Sequence, residues 1–403
     1  MIRRIRSLDS QLLFFIAGTI FYGISMGLSE TSFNNFLSDT YQMGADERGR
    51  LEFPRELPGF LVAVFAGALF FFSELHVAII SMILMAIGLA GVGMYGEDYT
   101  IMLVAMIVWS IGMHLSMPVI RAISLNLAQE GRGGTMLGRL GGIRTGAAII
   151  GSGLVWLGLG ETQWAYMPIF IGAALACVLC AGSMMLMKPI HGQEGKRPKF
   201  IFRKKYWLFY LLNILFGARK QVFITFGPWV LVKVFGEPVS TIAELTVIAS
   251  VLGMFLSPQI GYLVDRLGER FVLMVDAMLL MGVCLGYGYA EYLPLSYAIG
   301  IIYVSFVLDQ VLFVVGIART TYLDKIAVKK EDVTASLSLG VTIDHTISMS
   351  IPTLGGLIWI FYGYQYVFIG AAGVALLTLI AAGFIRVPPP QPAQQVDTQA
   401  AGG

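Results

Sequence analysis

Residues 240–290 read STIAELTVIASVLGMFLSPQIGYLVDRLGERFVLMVDAMLLMGVCLGYGYA. Two apolar runs, 240–263 and 271–290, flank a short charged segment holding Asp265, Arg266, Glu269 and Arg270. Each run is long enough to cross a hydrocarbon core of about 30 Å, which takes roughly 20 helical residues. Water is absent at that depth, so backbone N–H and C=O groups must bond within the segment, and such a run folds as a helix. The stretch predicts a helical hairpin standing across a bilayer, its charged turn in water.

Ten more runs of the same kind extend in both directions. They lie near 11–36, 53–73, 76–95, 99–125, 136–158, 163–187, 206–234, 294–322, 333–360 and 364–386. Composition agrees. The 403 residues are 57% hydrophobic and 13% charged, about half the charge of a soluble domain, and mean hydropathy is +0.76. The expected class is an all-α membrane protein of about twelve transmembrane helices. The first, fourth, fifth, seventh, tenth and eleventh runs are the polar ones and are expected to line a cavity.

The two halves resemble each other. Arg121 is followed by a short polar loop and a helix ending Gly153-Leu154-Val155-Trp156; Arg319 is followed by a similar loop and a helix ending Gly356-Leu357-Ile358-Trp359. A weak repeat of this kind marks transporters built from two parallel six-helix halves. The midpoint carries KPIHGQEGKRPKFIFRKKY, residues 188–206, basic and broken by Gly and Pro. The expected division is therefore a first bundle over 1–187, a linker over 188–205, a second bundle over 206–386 and a disordered Pro/Gln-rich tail over 387–403.

Lys and Arg collect in cytoplasmic loops. With the N-terminus inside, the inner segments hold Arg3, Arg4, Arg6, Arg132, the basic linker, Arg266, Arg270, Lys325, Lys329, Lys330 and Arg386. The outer loops hold mostly acids, with Lys233, Arg48, Arg50 and Arg55 as exceptions. The expectation is a multi-pass protein of the cell (inner) membrane with both termini cytoplasmic. The opening MIRRIR resembles a signal peptide, but no small-residue cleavage site ends a short apolar core, so it reads as a retained first span. A net charge of +2 and no long basic tract argue against nucleic acid. Cys177 and Cys180 form a C-x-x-C inside an apolar helix, where they read as small packing residues.

Gly261, Asp265, Arg266, Gly268 and Arg270 together resemble the G-x-x-x-D-R-x-G-x-R loop signature of the major facilitator superfamily. The resemblance, with the helix count, the basic central loop and the half-repeat, spans nearly the whole chain. It implies two rocking six-helix bundles and loop contacts at Asp265 and Arg266 that form and break with the rocking. The equivalent loop of the first half departs from the pattern: Phe71 and Phe72 stand at the Asp and Arg positions, ahead of Glu74 and His76. A lock there has to be built differently. The fifth helix carries Gly141, Gly142, Gly146, Gly151 and Gly153 but lacks the Pro of the antiporter pattern.

Charge at membrane depth costs roughly 2.5–3.5 kcal/mol or more per group, so each instance needs a partner or a wet cavity. Ser110, His114, Met117 and Arg121 share one face of the fourth helix, and Arg144 shares a face of the fifth with Gly141, Ala148 and Gly151. Ser25, Ser29 and Ser32 form a polar face of the first helix, with Glu30 and Asn34 beside it. Arg219 and Lys220 fall mid-seventh, Asp309 mid-tenth. Thr334, Ser338, Thr342, His345 and Ser348 make a stripe on the eleventh, with Asp344 adjacent. Lys220, Asp309, Asp344 and His345 are expected at similar depth. Arg121, Arg144 and Arg319 lie toward the cytoplasmic ends, where long side chains can snorkel.

Arg and Lys in a cavity suit a carboxylate or phosphate-like group, and Glu30, Asp309, Asp344 and His345 can exchange protons. The expected function is a secondary transporter, proton-coupled, carrying a small organic anion or zwitterion. Efflux of hydrophobic or cationic compounds is the alternative, and a non-transporting sensor or scaffold is a third. Intramembrane ion pairs that merely fix packing remain open for every charged candidate. No nucleophile triad or phosphate loop appears, and Cys and His spacing gives no metal site, so neither enzyme chemistry nor a cofactor is expected. The expected partners are the substrate, protons and lipid, with the chain a monomer.

Overall fold

In a computed structural model, the protein is described over residues 2–42, 45–159, 166–188, 201–237 and 239–387. Among these residues it is built of helices and turns. In order they are α1 Ile2–Tyr41, α2 Ala45–Phe60, α3 Val62–Ala68, α4 Glu74–Tyr95, α5 Tyr99–Leu127, α6 Gly133–Leu159 and α7 Tyr166–Met185. Then come α8 Trp207–Trp229, α9 Val239–Leu267, α10 Glu269–Tyr289, α11 Leu295–Leu312, α12 Gly316–Ile326, α13 Glu331–Tyr362 and α14 Tyr364–Gly383.

Two crossings are interrupted, so the fourteen helices make the twelve spans the hydropathy predicts. α2 and α3 are one span broken at Leu61, whose ψ of 4° leaves the helical range. Pro54 and Pro58 lie just before the break, and each removes a backbone donor from the ladder. α11 and α12 are joined through a 3₁₀ turn, Phe313–Val315. α8 carries Pro228 in its last turn and loosens into a π turn over Val230–Val234.

Among the described residues, eight spans are long and apolar enough to cross a bilayer on composition alone. The exceptions, α2, α3, α6, α8 and α13, include the helices that carry the polar cavity residues. Large apolar side chains such as Val104, Leu175 and Leu377 are exposed on the outer surface, as expected where acyl chains replace water. Buried apolar side chains fall into two large clusters. One is drawn from residues 15–187; the other is drawn mainly from 201–385 and includes Ala122 and Leu125 of α5.

The halves meet through α6 against α9 and through α13 against α2, α3 and α5. The α6–α9 seam is backbone on backbone. A Cβ placed on Gly138 would sit 2.3 Å from the Ser257 carbonyl oxygen, and one on Gly261 would sit 2.1 Å from that of Gly134. Small residues are what let two membrane helices come this close.

At the end of the bundle where α6 begins and α9 ends, the seam is locked. The backbone N–H groups of Gly134 and Thr135 donate to the two oxygens of Asp265, at 2.7 and 2.6 Å. These are orphan donors of a helix N-terminus, where a carboxylate is doubly favoured by hydrogen bonding and by the helix dipole. A second lock stands where the first half lacks the loop pattern. Glu74, 2% exposed, accepts a hydrogen bond from Asn126 at 3.1 Å and another from Thr334 of α13. At the same end, Asp332 in the first turn of α13 accepts from Arg203 Nε and from the Tyr206 hydroxyl, both at 2.7 Å. The Tyr206 hydroxyl accepts the Val328 N–H at 2.9 Å.

The second span starts earlier than its hydropathy indicates. Arg48, Arg50 and Arg55, read in sequence as outer-loop residues, belong to helix α2. The side chains of Arg3, Arg4, Arg6, Asn34, Arg48 and Arg50 lie outside the described residues, as do residues 189–200 of the linker and the tail from 388.

Candidate functional site

A cavity of about 750 Å³ lies between the halves, within the range of small-molecule sites. All six helices read as polar in sequence contribute to it through α1, α5, α6, α8, α12 and α13, and α2 joins them. The residues fall into three groups by the company they keep.

Arg121, Arg144 and Arg319 form the first group, and all line the cavity. Among the described residues none of them has a carboxylate within ion-pair distance. Arg319 lies over the Phe216 ring, its guanidinium carbon 3.6 Å from the ring centroid. A stacked guanidinium keeps its edge donors free for a ligand while the ring holds its plane. Arg121 and Arg144 are exposed to the cavity rather than to a headgroup layer. Their position near helix ends suggests snorkelling, yet both side chains line the cavity.

The second group is paired. Lys220 Nζ lies 2.8 Å from Asp344 Oδ2 across α8 and α13. Both side chains are about one-seventh exposed, 16% and 14%, and both line the cavity. Gly217, one turn before Lys220, makes the approach possible: a Cβ there would lie 2.7 Å from the Asp344 carbonyl oxygen. Ser348 donates to the Gly217 carbonyl at 3.2 Å, closing the same joint. Arg219 pairs with Asp309 at 2.9 Å, but this pair is buried away from the cavity, 3% and 1% exposed. Sequence leaves Asp309 open to either Arg219 or Lys220; the structure gives it to Arg219, because successive residues of α8 point about 100° apart. Arg219 is also stacked on Phe313, 4.7 Å from the centroid. Glu30 is engaged as well, held by Arg55 at 2.6 Å.

The third group was not visible as a group. Glu56 of α2, His114 of α5 and His345 of α13 bring one ligand-capable atom each to within 4.8 Å of one another. His345 Nδ1 is 2.9 Å and His114 Nε2 is 3.8 Å from Glu56 Oε2. The imidazoles meet edge to face, centroids 4.8 Å apart. Glu56 and Arg55 escape a sequence reading because α2, ADERGRLEFPRELPGF, mixes charge with two prolines and resembles a loop. The spacing of Arg55 and Glu56 on a run entering the membrane was the available signal.

The serine stripe of α1 does not face the cavity. Ser25, Ser29 and Ser32 are fully buried, Ser25 against Cys177 at 3.0 Å and Ser29 on the Ser25 carbonyl at 2.8 Å. The stripe of α13, in contrast, is a row of contacts to the first half: Thr334 to Glu74, Thr342 to the Ala63 N–H at 3.1 Å, and His345 to Glu56. The loop residues divide similarly. Asp265 is bonded across the halves, Gly268 turns the chain at φ +84°, and Arg266 and Arg270 are exposed.

A family model described as Major Facilitator Superfamily matches residues 56–336, more than half of the chain. No curated protein sequence matches at a significant level. Among solved structures, the chain is similar to the transporter FucP in its outward conformation, with 13% identity, 94% of this chain and 100% of that one covered, and a TM-score of 0.75. It is similar to the proton:xylose symporter XylE, with 12% identity, 95% and 96% covered, and a TM-score of 0.74. It is also similar to the human organic anion transporter MFSD10 (TETRAN), with 10% identity, 93% and 99% covered, and a TM-score of 0.72. At these identities the likeness concerns the fold.

Proposed function

Because the chain belongs to the major facilitator superfamily, and so is a membrane transporter rather than an enzyme, we propose that its cargo is a small organic anion moved in exchange with, or together with, protons. The observation that carries the reading is the cavity's charge. Arg121, Arg144 and Arg319 line one space of about 750 Å³ with no carboxylate in ion-pair contact among the described residues. Uncompensated guanidinium groups in a low-dielectric wall are costly. A carboxylate, phosphate or sulfonate on the cargo removes that cost, and guanidinium binds such groups in bidentate geometry.

Proton coupling is supported by Lys220 and Asp344. Their pair is open to the cavity, and the ammonium competes with a proton for the carboxylate. A proton on Asp344 releases Lys220 to the anion; loss of the proton closes the pair and expels it. The Lys and Arg distribution supports both termini, and with them the Asp265 lock, on the cytoplasmic side of the cell membrane. In that orientation the bonds of Asp265 and Glu74 join the halves on the cytoplasmic side. The alternative of cation efflux is disfavoured by the same contacts, since Glu30, Asp309 and Asp344 each already hold a basic partner.

The test is a binding screen on purified protein, by thermal shift at two pH values, over mono- and dicarboxylates, phosphate esters, neutral sugars and organic cations. Hits are then followed as flux into proteoliposomes with and without a pH gradient. Anions should raise the melting temperature, and Arg144→Gln or Arg319→Gln should abolish that rise. Stabilisation by neutral sugars or cations alone, unaffected by these substitutions, would overturn the reading.

A further inference from the structure

The geometry points to a second site at the cavity wall: Glu56, His114 and His345 form a binding site for a divalent transition-metal cation of the zinc or cobalt class.

Zinc bound tetrahedrally at about 2.0–2.1 Å from each donor sets neighbouring donors roughly 3.3 Å apart. Here the two measured edges, 2.9 Å from Glu56 Oε2 to His345 Nδ1 and 3.8 Å to His114 Nε2, bracket that value. The third closes within 4.8 Å. Small shifts of one ring complete the geometry.

The protonation state follows from the hydrogen bonds. The Ser110 hydroxyl donates to the Arg55 carbonyl, so toward His114 Nδ1, 3.1 Å away, it is an acceptor. The Ser110 carbonyl, 2.9 Å from the same nitrogen, is also an acceptor. His114 Nδ1 therefore carries its proton, and in neutral imidazole Nε2 is left with a lone pair facing the Glu56 carboxylate. A lone pair and a carboxylate repel unless a positive charge lies between them. Imidazole ligands of metals are held in this way, the far N–H donated to a backbone carbonyl.

His345 supplies the independent observation. It is 6% exposed, and its Nδ1 has no hydrogen-bond partner among the described residues, although Glu56 Oε2 is 2.9 Å away. The contact is close but misaligned for an N–H bond, an arrangement that a cation between the atoms satisfies. Gly59 keeps the space clear: a Cβ there would lie 2.7 Å from His114 Nε2 and 2.8 Å from His345 Nδ1.

The neighbouring charges are already paired, Arg55 with Glu30 and Lys220 with Asp344, so Glu56 gives the site one uncancelled negative charge. Two imidazoles and a carboxylate select zinc, cobalt or a similar borderline ion over magnesium and calcium, which take oxygen donors. All three residues line the cavity, which leaves a fourth coordination position open to it. Glu56 and His114 belong to the first half and His345 to the second, so the ion ties the halves together in this arrangement. The inference is independent of the anion reading: either can fail while the other stands.

The experiment titrates Co²⁺ into chelator-stripped, full-length protein carrying no polyhistidine tag and reads its visible absorption. One saturable site per chain is expected, with the intensity of a four-coordinate ion, and Zn²⁺ should bleach it. His345→Gln and Glu56→Gln should each weaken it by more than the roughly 10–100-fold that loss of an outer-shell partner costs. His76→Gln, on an exposed histidine, should leave it intact. Zn²⁺ should raise the melting temperature of the wild-type protein and of His76→Gln, but not of His345→Gln or Glu56→Gln. Absence of saturable absorption in the wild type overturns the proposal whether or not the variants fold. Bands that persist in His345→Gln and Glu56→Gln do so as well.

Discussion

Asp265, in the last turn of α9 in one half of the protein, takes the backbone N–H of Gly134, in the first turn of α6 in the other, at 2.7 Å. The Thr135 N–H, at 2.6 Å, occupies its second oxygen. A single carboxylate thus caps a helix belonging to the opposite bundle. Asp265→Asn retains the shape and one acceptor but loses the charge. Hydrogen bonds to a charged group are worth about 1.5–3 kcal/mol, so the closed end should open more often by one to two orders of magnitude in the equilibrium constant. Modification of a cysteine introduced at Leu137, on the cavity wall, by a thiol reagent applied from the locked end should rise accordingly. An unchanged rate would remove Asp265 from the lock.

The glycines of α6 divide by what they touch. A Cβ on Gly138 would meet the Ser257 carbonyl at 2.3 Å, whereas nothing lies within 4 Å of one on Gly153. Gly138→Val should push α6 from α9 and lower the melting temperature by several degrees, with loss of flux. Gly153→Ala should stabilise the protein by about 0.5–1 kcal/mol, the usual helix-interior difference. Equal melting temperatures for both variants would contradict the seam described above.

The Arg219–Asp309 pair offers a test of bracing against coupling. Removing one member of a buried pair costs about 3–5 kcal/mol, while replacing both by apolar groups is often neutral. Asp309→Leu alone should sharply reduce the folded yield. Arg219→Leu with Asp309→Leu should recover it, and should recover transport too if the pair is a brace. A stable double variant that no longer accumulates cargo against its gradient would assign Asp309 to the proton path instead.

Lys220 and Asp344 behave differently if the proposed cycle is right. Asp344→Asn leaves Lys220 permanently free, so exchange of labelled anion across proteoliposomes should continue while accumulation driven by a pH gradient disappears. Lys220→Met should weaken anion binding about tenfold or more, in line with loss of a charge-assisted hydrogen bond. Loss of both exchange and accumulation in Asp344→Asn would point to a packing role.

The fold was legible because hydropathy reports solvent: twelve runs, a basic central loop and the Asp265 signature suffice to place the helices. The cavity wall was legible where a helix carries polar residues in register, as along α13 from Thr334 to Ser348. Contacts set by tertiary packing were not. Glu56 sits in a proline-containing helix with low mean hydropathy, and nothing local ties it to His114 or His345. Arg121, Arg144 and Arg319 read as snorkelling cations because distance from a helix end says nothing of how deep a cavity reaches. The assignment of Asp309 to Arg219 rather than Lys220 turned on the rotation of one residue along α8.

The Asp332 cluster bears on the chain that enters the second half. Arg203 and Tyr206 both bond Asp332, and Thr334, two positions further along the same helix, holds Glu74 of the first half. Tension on the segment leading into Arg203 is therefore delivered to the foot of α13, beside the bond that spans the two bundles.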